Sequence, residues 1–135
     1  MKDEEIRDTL YRSKTVAVVG ISPKEDRPSY IVAAYLKSKG YRIIPVRPQG
    51  EEILGERVYP GLMDIPKEIE IDVVDIFRRS EDVPPTVDEA IQRGAKVVWM
   101  REGIIHKEAG AKAEKAGLKV VMDRCMKKEH QRLVK

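Results

Sequence analysis

A single cysteine, Cys125, leaves this 135-residue chain without an internal disulfide, so a disulfide-stapled secreted scaffold is excluded and a reducing cytoplasm is expected. No apolar run approaches the ~20 residues that span a bilayer. The opening MKDEEIRDTLYRSK is acidic and amphipathic, unlike a signal peptide, so neither secretion nor a membrane partner is expected. Charge of one sign is also lacking. Against 26 Lys+Arg stand 23 Asp+Glu, a net +3, which does not call for a nucleic-acid partner but suits a phosphorylated small ligand. Metal-ligand spacing is missing: His106 and His130 have none with each other or with Cys125. There is no Ser-His-Asp signature and no Gly-Lys-Ser phosphate loop, so no catalytic or metal residue is expected.

What is present is 41% hydrophobic and 36% charged residues, the balance of a globular protein with a densely charged surface. Such a length supports one core and one domain, expected to span residues 1–135. Five short apolar runs read as strands: Thr15–Val19, Tyr41–Val46, Asp72–Phe77, Lys96–Met100 and Lys119–Met122. They are nearly continuous rather than alternating, as in strands covered on both faces. Helical spacing runs through Asp3–Ser13, Ser29–Lys39, Glu81–Arg93, Glu108–Ala116 and Met126–Val134. Three of these helices stop at a glycine (Gly40, Gly94, Gly117) before the next strand. Repeated helix, glycine and strand predict an α/β fold, Rossmann-like and doubly wound, with a five-stranded parallel sheet and helices on both faces. Residues 48–66 read as a loop with one turn of strand at Glu56–Tyr59 and a helical turn at Leu62–Ile65.

Ligands of such sheets bind beyond the carboxyl ends of the strands. After the first strand, Gly20 permits a tight turn and Ser29 is placed to open the next helix, whose free N–H groups favour phosphate. Lys24 and Arg27 could add charge; an ordinary strand-to-helix loop with a capping serine would read the same. After the second strand stands Arg47 where a nicotinamide site would carry an acid, which disfavours NAD and admits NADP or coenzyme A. The third strand ends in Phe77, Arg78 and Arg79, with Ser80 as a candidate cap. The fourth ends in Trp99, Met100, Arg101, Glu102 and Gly103. Arginines at three strand ends on one edge suggest a pocket for a phosphate-rich ligand.

These runs, VAVVGISPKEDRPSYIVAAYLKSKGYRIIPVRPQGEEILGERVYP, DIFRRSEDVP, GAKVVWMREGI and GLKVVMDRCMKKEH, resemble the stand-alone coenzyme A-binding domain proteins. Those are similar to the N-terminal domain of the succinyl-CoA synthetase α subunit. The resemblance covers residues 13–132 and implies a Rossmann-like fold that takes coenzyme A or an acyl-CoA at its carboxyl edge. It implies Gly20, Ile21 and Ser22 near the diphosphate, with Arg27, Ser29 and Tyr30 completing that loop. Val46, Arg47 and Pro48 would line the nucleotide end; the family commonly has Asn-Pro where this chain has Arg47-Pro48. Phe77, Arg78, Arg79 and Val83 match the segment flanking adenine, and Met100, Glu102 and Gly103 match the turn bordering the ligand. The synthetase also uses a phosphohistidine domain, which this chain does not match, so binding without ligase catalysis is expected. A small NADP-linked oxidoreductase, or thiol chemistry between Cys125 and coenzyme A, are the alternatives.

Overall fold

The computed structural model describes residues 1–135. In chain order the elements are α1 (Asp3–Arg12), β1 (Thr15–Val19), α2 (Pro28–Ser38), β2 (Arg42–Val46), β3 (Glu52–Ile53), β4 (Glu56–Arg57) and β5 (Val73–Ile76), then α3 (Val83–Arg93), β6 (Val97–Met100), α4 (Lys107–Lys115), β7 (Lys119–Val121) and α5 (Met126–Leu133). Five strands form one parallel sheet in the order β2-β1-β5-β6-β7, the Rossmann-like doubly wound arrangement. The chain leaves β1 toward one edge and continues from β5 toward the other. Strand order therefore reverses between β1 and β5, and a crevice opens above that pair.

Side-chain alternation divides the core in two. Ala17, Val19, Val74, Ile76, Val98 and Met100 face α3 and α4, meeting Val83, Val87, Ala90, Ala109 and Ala113. Val16, Val18, Val73, Val97 and Trp99 face the opposite layer, where α1, α2 and α5 supply Ile6, Leu10, Val32, Leu36 and Met126. Both faces of each strand are buried, which explains why apolar runs replace alternation in the sequence. At the amino edge, burial pushes the Asp72 carboxyl up. The N–H groups of Lys14 and Thr15 at 2.8 and 2.9 Å, with the Lys96 ammonium, outweigh it and hold the group below its usual range. No helix is long and apolar enough to cross a membrane.

Three local expectations change. Helix α2 starts at Pro28, whose fixed φ suits a first helical position, so Ser29 lies inside the helix rather than capping it. Ser80 opens a 3₁₀ turn over Ser80–Asp82 that delays α3 to Val83, and it caps nothing by its side chain. The strand expected at Glu56–Tyr59 is shorter. Leu54 and Gly55, with φ of 56° and 75°, make the two-residue turn of a β3–β4 hairpin, and Tyr59 adds a parallel bridge beside Val46.

Candidate functional site

Gly20 is the pivot of the crevice. Its φ is 85°, and its N–H donates to the Val46 carbonyl at 2.9 Å. A Cβ built at Gly20 would overlap the Phe77 carbonyl oxygen, so β1 and β5 can end this close together only without a side chain here. The Phe77 N–H in turn donates to the Val19 carbonyl at 2.8 Å. The ends of β1, β2 and β5 thus frame a cleft of about 610 Å³.

Ser29 holds the loop above it. Buried in the first turn of α2, its Oγ accepts the Ser22 N–H at 2.9 Å, while the Ser22 Oγ accepts the Lys24 N–H at 3.1 Å. The N–H groups of Ile21, Ser29 and Tyr30 have no partner in the chain, so the amino end of α2 presents free donors beside the cleft. Ser29→Ala removes the acceptor for the Ser22 N–H. The expected cost is ~1–3 kcal/mol, read by chemical denaturation, with faster amide exchange at Ser22.

The charge of the cleft is one-sided. Lys24, Arg27, Arg47 and Arg101 line it, no Asp or Glu does, and none of the four is in an ion pair. Of the residues singled out in the sequence, Gly20, Ile21, Ser22, Lys24, Arg27, Ser29, Arg47, Pro48, Phe77 and Arg101 meet there. The others lie elsewhere. Val46, Val83 and Met100 are buried core, and Tyr30 packs half-buried against the α1–α2–α5 layer. Arg78 runs beside Gly20 with a buried, unpartnered Nε. Arg79 turns outward to Glu81 at 3.3 Å and Asp82 at 3.5 Å. Glu102 pairs with Lys128 at 2.9 Å, and the Gly103 N–H donates to Asp123 Oδ1 at 2.6 Å.

Arg101 is the residue that sequence reading undervalued. It was visible only as the first position after β6, and nothing local separates it from Arg79. Glu102 borders a second cavity of about 500 Å³ on the same edge, which also contains Cys125, half-buried at the start of α5. The histidines have structural work. His106 Nδ1 accepts the Ala109 N–H at 3.1 Å to cap α4, and His130 Nδ1 bonds the half-buried Tyr35 hydroxyl at 2.8 Å, joining α5 to α2. Burial, then Lys39, depresses His130 below the usual imidazole range. Trp99 is fully buried, its indole N–H donating to the Arg124 carbonyl at 2.8 Å.

A parallel sheet with a glycine-floored crevice at its switch point, rimmed by unpaired cations, defines a Rossmann-like α/β protein with a cationic cleft at its carboxyl edge. Within that class the chain belongs to the CoA binding domain family, whose model matches residues 14–131. It is 40% identical over 126 residues to the protein YneT of Bacillus subtilis, covering 93% of this chain and 92% of that one. A solved structure, a hypothetical protein from Pyrococcus horikoshii OT3, is 45% identical with a TM-score of 0.95, covering 100% of this chain and 94% of the other. The chain is also 32% identical over 120 residues to acetate–CoA ligase [ADP-forming] II of Archaeoglobus fulgidus; the match covers 86% of this chain but 17% of the ligase.

Proposed function

We propose that this chain binds coenzyme A, free or acylated, in the cleft between Gly20, Arg47 and Phe77, acting as one binding unit without a reaction of its own. The observation that carries this reading is the cleft's four unpaired cations with no facing carboxylate. Coenzyme A brings a 3′-phosphate and a diphosphate, about four negative charges at neutral pH. The free N–H groups of Ser29 and Tyr30 suit the diphosphate, as helix amino ends do. Arg47 suits the phosphorylated ribose through its planar fork of donors, and Phe77 offers an apolar wall for adenine. A volume of about 610 Å³ is in the range of ligand sites and leaves the pantetheine arm to run along the sheet edge. The three-glycine fingerprint of dinucleotide enzymes is absent, which weighs against the NADP alternative.

Calorimetric titration with coenzyme A and dephospho-coenzyme A tests the proposal. Coenzyme A is expected to bind more tightly, by ~1.5–3 kcal/mol if a guanidinium holds the 3′-phosphate. No heat from either ligand up to about a millimolar ends it.

The second cavity supports one further reading, because it places the Cys125 thiol on the same edge. Its thiolate would attack the disulfide of oxidised coenzyme A, forming a protein–coenzyme A disulfide and releasing one coenzyme A thiolate. Intact mass decides: native protein should gain one coenzyme A, and Cys125→Ala should gain none.

A further inference from the structure

Asp75 is a buried acidic side chain without a partner. It is 1% exposed at the centre of β5, and neither carboxyl oxygen has a hydrogen-bond donor. Its register neighbours are Val18 on β1 and Trp99 on β6. Like Phe77 two positions on, it points to the α1–α2–α5 layer, and Phe77 walls the cleft.

That layer offers Asp75 apolar side chains, Trp99 among them, with Tyr30, Tyr35 and Cys125 half-buried at its margin. Its buried titratable groups are already committed: Glu129 to Arg124 and Arg132, His130 to Tyr35, and Tyr41 to the Leu10 carbonyl. Burial alone, with no charged neighbour contributing, pushes Asp75 up to about 8, so it is a neutral acid in the folded protein at pH 7. In the unfolded chain the same group ionises near 4. Folding therefore takes up a proton between these values, and this group lowers the folding equilibrium constant tenfold per pH unit as pH rises from about 4 to 8.

We propose that Asp75 is a proton switch for the cleft: its neutral form lets β1 and β5 close against each other beneath the ligand, and its ionisation loosens them. The inference rests on the binding reading above. The physical link is short. A carboxylate formed inside this layer must draw in water or part the strands, and two residues along the chain, at the carboxyl edge, Phe77 meets Gly20. Ligand held across that junction favours the protonated form.

Trp99, the one tryptophan and the register neighbour of Asp75, reports the event. Its fluorescence should show a one-proton step near pH 8 in the native protein, and none in Asp75→Asn. Saturating coenzyme A should move the native step upward, one pH unit for each tenfold preference of ligand for the neutral form. Asp75→Ser replaces the asparagine variant if that fails to fold. A step that survives both substitutions overturns the proposal, as does a step that stays in place when ligand is bound. Absence of binding heat at every pH overturns the coenzyme A reading instead; binding with an unmoved step overturns only the switch.

Discussion

Gly20→Ala will unfold more readily than the native protein by about 2–5 kcal/mol and will lose ligand binding. Two separate effects add. A side chain at φ 85° costs ~1–2 kcal/mol, and the overlap with the Phe77 carbonyl adds ~1–3 kcal/mol of overpacking strain. The obstructing atom is backbone one residue past the central strand β5, so it can yield only by parting the ends of β1 and β5. Gly40→Ala is the control. Its φ is 96°, yet a Cβ there meets nothing within 4 Å, so the expected loss is only ~1–2 kcal/mol. Urea denaturation of both variants separates the effects. Equal losses at the two positions would show that conformation, and not the close approach of two strand ends, governs Gly20.

Arg47→Ala should weaken coenzyme A binding by ~1.5–3 kcal/mol, about tenfold to 150-fold, while leaving stability nearly unchanged. The side chain has no ion pair to lose, and its backbone N–H keeps its bond to the Tyr59 carbonyl at 3.0 Å. The loss should fall on the 3′-phosphate. Dephospho-coenzyme A is expected to bind the variant and the native protein alike, so the preference for coenzyme A disappears. If Arg101 holds that phosphate instead, Arg101→Ala will show this pattern and Arg47→Ala a uniform weakening of both ligands. Calorimetry on the two variants with the two ligands assigns the group. Raising the salt concentration should weaken native binding more than that of either variant, since each removes a cation from the cleft.

The strands were legible because each is buried on both faces, which writes itself as an uninterrupted apolar run such as Val16–Val19 or Val97–Met100. Helix ends were legible where glycine takes the left-handed cap, as Gly94 does at φ 79°. The β3–β4 hairpin was not. Two residues per strand carry no periodicity, and only Leu54-Gly55 marks the turn. Within the site, strand ends could be named but not their side-chain directions. Phe77 faces the cleft, whereas Met100, at the end of its own strand, is sealed under α3 and α4. Arg79 and Arg101 look equivalent in the sequence, yet Arg79 is captured by two acids from its own turn while Arg101 turns into the cleft.

The sequence alone determined the α/β class, the parallel strands and the roster of residues at the carboxyl edge. Those depend on burial pattern, caps and chain direction, which act over a few residues. Only the tertiary structure decided that β1 lies beside β5, that Gly20 must meet Phe77 without a side chain, and that four of 26 basic residues gather where no acid answers them. It also decided that Asp75 would be stranded without a donor. Strand order brings together residues tens of positions apart, and no local pattern records which of their side chains will share one cleft.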